Sequence, residues 1–485
     1  MTFLPQIRRF FSVCVVGLAV PGAAVAYETA ADFNESDLNA TPSAAELAKL
    51  GVEGTEFTPT GAIRAGNAEG TIPEWKNEPV KAPAGFTPGG YHPDPFAADK
   101  PLFTITAQNY KQYADKLSPG QQKMFATYPD YVMNIYPTRR SAVFKPDIYQ
   151  AALGNAGRAR VVMSDTYPNL IGFSGAVRAW AFPIPKNGPQ AILNQATRPF
   201  APWSSHVLNT TPVTSSGDYQ TVKLSVQYHV AWAEETNTID NFDPTVPGAG
   251  GFYYMQSIIA PAKQAGQVVL ARDPTSFAKQ FRQAWSYSPG QRRVKRAPQI
   301  VYDNPLTSGD GLATTDEGFG FNGPNDRFVW KLMGRKEMYV PYNAFKIWAP
   351  GVKVKDMITS QGRFNQDLAR YELHRVWVVE ATLREGTRHD YGRRTYYYDE
   401  DTWSVMLTDA YDRRGELWRL WEEHALMWYD IQMWTALPAI ASVRYDMNAG
   451  RMLLLNIDKD TPPNFDWRAP DSYFTPDNVR REGVR

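Results

Sequence analysis

The chain has 485 residues, with 51 Lys plus Arg against 50 Asp plus Glu, 43% hydrophobic and 13% aromatic side chains. That composition excludes disorder, collagen-like repeats and a multi-span membrane protein. A formal charge of +1 removes the cationic excess that nucleic acid or a polybasic tether would require, so no nucleic-acid partner is expected and affinity must come from shape and apolar contact.

Residues 1–26 read as a secretory signal peptide. Arg8 and Arg9 precede the apolar run Phe10 to Val20, and Ala24-Val25-Ala26 supplies a small-x-small cleavage site after Ala26. Pro21-Gly22 interrupts the run before the ~20 apolar residues that cross a bilayer. The single cysteine, Cys14, lies inside this leader. The mature chain therefore has no disulfide, thiolate ligand or cysteine nucleophile, and packing must hold it together.

Residues 27–150 read as an N-terminal strap with short helices. Thr41 to Gly51 carries a cap, helix formers and a glycine stop. Gly51 to Pro101 is dense in Gly and Pro yet holds Phe57, Trp75, Phe86, Tyr91 and Phe96, more aromatic surface than a flexible linker carries. Helices are expected over Ala107 to Leu117 and from Ser118-Pro119-Gly120-Gln121, where Ser caps, Pro takes the first helical position and Gln closes the box. The same tetrapeptide at Ser288 to Gln291 stands between strand-like runs and reads as a hairpin turn. A short helix is expected around Pro189 to Thr197.

Residues 151–457 are dominated by period-two alternation. Thr221 to Trp232 places Val222, Leu224, Val226, Tyr228, Val230 and Trp232 on one face, with His229 on the polar face. Similar runs occur at Phe252 to Ile259, Gln267 to Arg272, Phe277 to Tyr287, Arg327 to Met333 and His374 to Leu383. Others follow at Arg394 to Tyr398, Ser404 to Tyr411, Glu416 to Trp421 and Ala441 to Tyr445. Short polar connections such as Asp412 to Gly415 favour antiparallel pairing, and no strand-helix-strand rhythm appears. The expected fold is mainly β with peripheral helices: a strongly curved antiparallel sheet. Residues 458–485 read as an irregular C-terminal strap anchored by Trp467, Tyr473 and Phe474.

Catalytic machinery is sparse. The six histidines fall in no metal-ligand spacing, so no metal or cofactor is expected. Gly172-Phe173-Ser174-Gly175 is one residue short of a nucleophile elbow. Asp399-Glu400-Asp401-Thr402 reads as a solvated hairpin tip, and Glu422-Glu423-His424 as a strand leaving the core. Arg292, Arg293, Lys295 and Arg296 form the sharpest basic cluster, suited to a phosphate headgroup, an acidic partner or simply a solvated edge strand.

The segments Gly66 to Trp75, Tyr91 to Phe96, Lys100 to Asn109, Tyr136 to Arg140, Phe182 to Gly188, Tyr287 to Val294, Glu337 to Asn343, Tyr398 to Trp403 and Tyr411 to Leu417 stand out along the chain. In them the chain resembles a family of exported proteobacterial proteins of unknown function grouped with the outer-membrane lipoprotein-sorting carriers. The resemblance implies a LolA/LolB-like incomplete β-barrel whose hollow holds acyl chains, a periplasmic location, and association with outer-membrane proteins or resistance-nodulation-type exporters. It carries no catalytic residues.

The first functional reading is a non-enzymatic periplasmic carrier for a lipid or other hydrophobic small molecule. Its expected lining is Val222, Leu224, Val226, Tyr228, Phe281, Trp285, Trp377 and Val379, with Arg292, Arg293, Lys295 and Arg296 docking a headgroup or partner. The alternative is an adaptor without cargo. A lipid or polymer hydrolase acting through Ser174 ranks third.

Overall fold

A computed structural model describes residues 35–246, 249–434 and 440–484. Residues 1–26, read from the sequence as a signal peptide, lie outside the described residues. The strands begin with β1 (Phe103–Ile105), β2 (Met133–Ile135), β3 (Arg160–Met163), β4 (Ile171–Ser174) and β5 (Trp203–Val213). Next come β6 (Val222–Val230), β7 (Gly251–Ala260), β8 (Val268–Pro274), β9 (Gln283–Ser288) and β10 (Arg293–Arg296). The later ones are β11 (Phe328–Pro341), β12 (Tyr371–Leu383), β13 (Arg393–Asp399), β14 (Val405–Tyr411) and β15 (Leu417–His424). The last are β16 (Met427–Trp428), β17 (Met433–Trp434), β18 (Ala441–Asp446) and β19 (Arg451–Ile457).

Fifteen strands form one sheet in the order β1-β2-β12-β13-β14-β15-β18-β19-β5-β6-β7-β8-β9-β10, with β11 also paired to β12. All pairings are antiparallel except one bridge between Tyr371 and Ile135. Since β1 and β10 end the path unpaired to each other, the fold is a large curved sheet rather than a closed barrel among the described residues. β3 with β4, and β16 with β17, make separate ladders.

Alternation explains the elements it was read from. In β6, Val222, Leu224, Val226 and Tyr228 are buried while Lys223, Ser225 and Gln227 are half-buried. The Phe277 to Tyr287 run is corrected: pairing starts only at Gln283, because Arg282 turns back onto Asp273 with a two-bond fork of 2.5 and 2.7 Å. Phe281 is thereby left in the preceding loop against Tyr167 and Tyr302. His229 is also no surface residue; it is 9% exposed and stacks on Trp203 at 3.7 Å.

The two serine caps form as their side chains dictate. Ser43 with Glu46 and Ser118 with Gln121 each close a capping box, whereas Ser288 to Gln291 turns the chain between β9 and β10. A helix also spans Gly188–Thr197, capped by Asn187. The helix at Pro146–Ala156, opened by Pro at its first turn, was not anticipated. Residues 51–101 carry no regular element, yet Trp75 is 2% exposed and Phe86, Tyr91 and Phe96 pack on the core. The tail is less irregular than expected: a helix spans Pro476–Val484, and with Phe474 it buries Val479 against the outer face of β7 to β9.

Candidate functional site

Cross-strand register sets the faces of the sheet. On the inner side of one half a row runs His206, Val226, Gln256, Val269 and Ser286 across β5 to β9. A second row runs Glu423, Ser442, Leu455 and Thr210 from β15 to β5. The irregular segment between β10 and β11 crosses above them and brings Ile300, Leu306, Thr314, Thr315, Phe319 and Asn322 into contact with the cavity. Sheet and cover together enclose about 1180 Å³ of atom-free space, mouth included. An adjoining lobe of about 810 Å³ shares Phe252, Asp273, Phe319 and Asn322 with it and is walled by Phe173, Phe200 and Trp232.

Leu208, Leu224, Val226, Val269, Ala271 and Leu455 make the hollow mainly apolar. Polar side chains stand among them, and the charged ones are engaged with one another. Arg282 is locked on Asp273, and Arg444 makes an ion pair with Glu317 on the cover. Ser442 donates to Glu423 at 2.8 Å, and burial pushes the Glu423 carboxyl up to about 7 against the pull of Arg444 and Ser442. His206 contacts Ser204 at 3.1 Å, and burial lowers its imidazole to about 4. A neutral imidazole with so low a pKa is a poor base, and Ser204 does not line the hollow, so the pair lacks the arrangement of an activated nucleophile.

The cover is pinned by two adjacent carboxylates. Asp316 accepts from Arg394 at 2.9 Å and contacts His389 at 3.1 Å. Burial would raise it, but Arg394 and His389 outweigh that and hold it below the usual carboxylate range. Glu317 accepts from Tyr391 at 2.6 Å.

The expected lining residues separate. Leu224 and Val226 line the hollow. Val222 and Tyr228 are buried on the same face beside it, Tyr228 lying 5.7 Å from Phe252. Phe281 borders a small pocket near Gly250 and Arg272. Trp285 pairs with Leu270 and faces the opposite side of the sheet, toward the tail helix. Trp377 and Val379 belong to the dense core of the other half, where Trp377 stacks on Trp403 at 5.4 Å. Arg292, Arg293, Lys295 and Arg296 lie at the β10 edge, all exposed. The residues that alternation did not single out are His206, Leu208, Thr210 and Leu455. Their strands, β5 and β19, carry polar residues on both faces or an unbroken apolar run, and the register of β5 against β6 is the signal that places them.

A second cluster overturns the solvated-turn reading. Asp399, Glu400, Asp401 and Thr402 are each 2% exposed or less. Arg140 forks onto Asp401 at 2.6 and 2.9 Å, Arg375 reaches Glu400 at 2.7 Å, and both arginines also donate to carbonyls of the strap at Ile63 to Ala65. Burial and the neighbouring Asp401 push Asp399 up to about 7. His374, Asp399 and Asp401 offer potential metal-ligating atoms within 4.8 Å of one another, but a cation would have to displace Arg140 from Asp401. The cluster's chemistry is that of an ionic clamp on the strap. Glu422, Glu423 and His424, read as leaving the core, are likewise fully inside β15.

Ser174 closes β4 opposite Arg160, and residues 175–187 intervene before the next helix at Gly188. The strand-to-helix turn of a nucleophile elbow is therefore missing at Ser174.

Residues 104–480 match the family DUF1329, described as a protein of unknown function. An uncharacterized protein of Pseudomonas aeruginosa is 42% identical over 450 residues, covering 92% of this chain and 95% of the relative. Among solved structures, a DUF1329 family protein from Desulfovibrio piger is similar at 14% identity and a TM-score of 0.37, covering 57% of this chain and 90% of that one. A LolA superfamily protein from Nitrosomonas europaea is similar at 13% identity and a TM-score of 0.33, covering 60% of this chain and 98% of that one.

Proposed function

The chain belongs to the DUF1329 family, and from that premise we propose that it is a non-enzymatic binding protein that carries a lipid-like apolar molecule in the hollow between β5 to β8 and their cover. The observation that carries this reading is the hollow itself. A well-packed interior leaves few voids larger than a water molecule, yet here the sheet and its cover stand apart around a cavity, open at a mouth, whose accessible wall is mostly apolar.

The energetics favour a long chain. Burying a methylene contributes about 0.8 kcal/mol, while association costs at least ~4 kcal/mol of translational and rotational freedom. A chain of roughly fifteen methylenes therefore reaches about −8 kcal/mol, a micromolar affinity, with no charged anchor. The leader at residues 1–26 supports a periplasmic location, where aqueous transit of such a molecule calls for a carrier. Service to an outer-membrane protein or exporter is part of the proposal and is checked by co-purification.

The test is mass spectrometry of organic extracts from protein purified gently from the periplasm, alongside Val226→Trp. The wild type is expected to carry a long-chain apolar molecule, and the folded Val226→Trp variant to carry several-fold less. Empty wild-type protein that also fails to bind a long-chain fluorescent probe would overturn the reading. The adaptor reading would then be favoured by retained capture of a membrane partner.

A further inference from the structure

We infer that the ligand is a single-chain amphiphile with an anionic headgroup, bound tail inward, its headgroup held at the mouth by Arg293 and Lys295. This rests on the hollow being a ligand site and adds the class and orientation of the ligand.

The register of the sheet carries the argument. The inner-face row that begins at His206 does not stop at the hollow: Val226, Gln256, Val269 and Ser286 follow, and Ser286 pairs with Lys295 on the edge strand β10. Arg293, two residues earlier, shares that face. A groove of about 910 Å³ lined by Arg293 and Lys295 adjoins the hollow, the two having Gln256, Val269, Ile300, Thr307 and Thr315 in common. Along this row exposure rises toward the edge: His206, Val226 and Gln256 are buried, Val269 and Ser286 half-buried, and Lys295 exposed and cationic. Six strands set ~4.8 Å apart give the row a length of about 24 Å. One leaflet of a bilayer holds about 15 Å of hydrocarbon, so the tail of an ordinary membrane amphiphile fits between mouth and His206.

Charge fixes the orientation. Inside, Arg282 is already neutralised by Asp273 and Arg444 by Glu317, and Glu423 stands beside Arg444. An anionic headgroup there would add a buried charge among carboxylates that already hold the cations, which is costly. At the mouth, Arg293 and Lys295 are exposed and, among the described residues, make no ion pair. The guanidinium fork of Arg293 suits a carboxylate or a phosphate, and Lys295 adds a second point charge. Arg296 belongs to the other face, over the Trp285 ring at 5.9 Å, and takes no part. Within β10 the pleat thus sets Arg293 and Lys295 on the groove side and Arg296 on the other.

The experiment uses the full mature chain, with cis-parinaric acid and its methyl ester as fluorescent probes of the same tail. Wild-type protein should bind the acid about tenfold more tightly than the ester, with the preference shrinking as salt rises. The double variant Arg293→Gln/Lys295→Gln should lose that preference and bind the ester unchanged, while Arg296→Gln behaves as wild type. Displacement of the acid by hexadecanoate and by hexadecyl phosphate ranks the two headgroups, and failure of both to displace it counts against the proposal. Equal binding of acid and ester by the wild type, or a preference that survives the double variant, overturns the headgroup site and leaves the hollow intact. If the wild type binds neither probe, the hollow reading falls and this inference with it.

Discussion

The two halves of the sheet are built from the same alternation and end differently. Between β11 and β15, Trp330, Tyr396, Tyr398, Trp403 and Trp421 meet Trp180 from the loop after β4 and Phe144 from the strap in a core whose largest side chains are fully buried. Between β5 and β10, Leu208, Leu224, Val226 and Val269 meet an irregular cover that brings Thr307, Thr314, Thr315 and Gly318 over them, and a hollow remains. Apolar faces alone do not decide between core and cavity. What lies opposite does: bulky aromatics interdigitate with a sheet, whereas a cover that mixes Thr307, Thr314, Thr315 and Gly318 with Ile300, Leu306 and Phe319, and is pinned at Asp316 and Glu317, leaves space above it.

The largest expected effect tests the packed half. Trp180→Ala removes a fully buried indole that donates to the Thr402 carbonyl and meets Phe144 edge-on, and it should cost about 3–5 kcal/mol in urea unfolding. Leu224→Ala, beside space that already exists, should cost about 2 kcal/mol. Equal losses would erase the distinction between the halves.

Glu422 and Glu423 sharpen it, since adjacent residues of β15 face opposite sides. Burial pushes both carboxyls up to about 7 from an ordinary 4.5. The folded state therefore holds each neutral where the unfolded chain ionises it. The contribution of these two groups to stability is greatest below pH 4.5 and falls by about 3 kcal/mol per group as pH rises from 4.5 to 7. Glu422→Gln should flatten that fall by about this amount in denaturation followed at several pH values. Glu423→Gln should do the same in ligand-free protein. Loading the wild type with cis-parinaric acid should shift the Glu423 titration, followed by carboxyl NMR, and leave that of Glu422, held between Tyr131 and Tyr371, where it was.

The smallest effect is an overpacking contrast. Ala381→Leu in the dense core should cost about 1–3 kcal/mol, whereas Val226→Leu in the hollow should change stability by less than about 0.5 kcal/mol.

Much of the strand inventory was legible because period-two burial is a local property. The apolar face of β6, the capping boxes at Ser43 and Ser118 and the β9 to β10 turn could all be read from neighbours a few residues apart. Reading failed where distant segments supply the partner. The Asp399 to Thr402 turn looked solvated until Arg140 and Arg375 arrived from elsewhere in the chain, and His229 looked exposed until Trp203 stacked on it. Leu224 and Val226 were recognisable as one apolar face, but Trp285 and Trp377 share that signature and lie in other cores.

By itself the sequence determined a mainly antiparallel β chain, where most strands alternate, and the absence of any cysteine after Cys14, because each follows from residue type and short spacing. Only the tertiary structure decided which apolar face stays open, which carboxylates are buried and which arginines meet them. Those outcomes depend on register and on the crossing of residues 300–322 over strands up to about 150 residues away in sequence, and neither distance nor volume is written in local pattern.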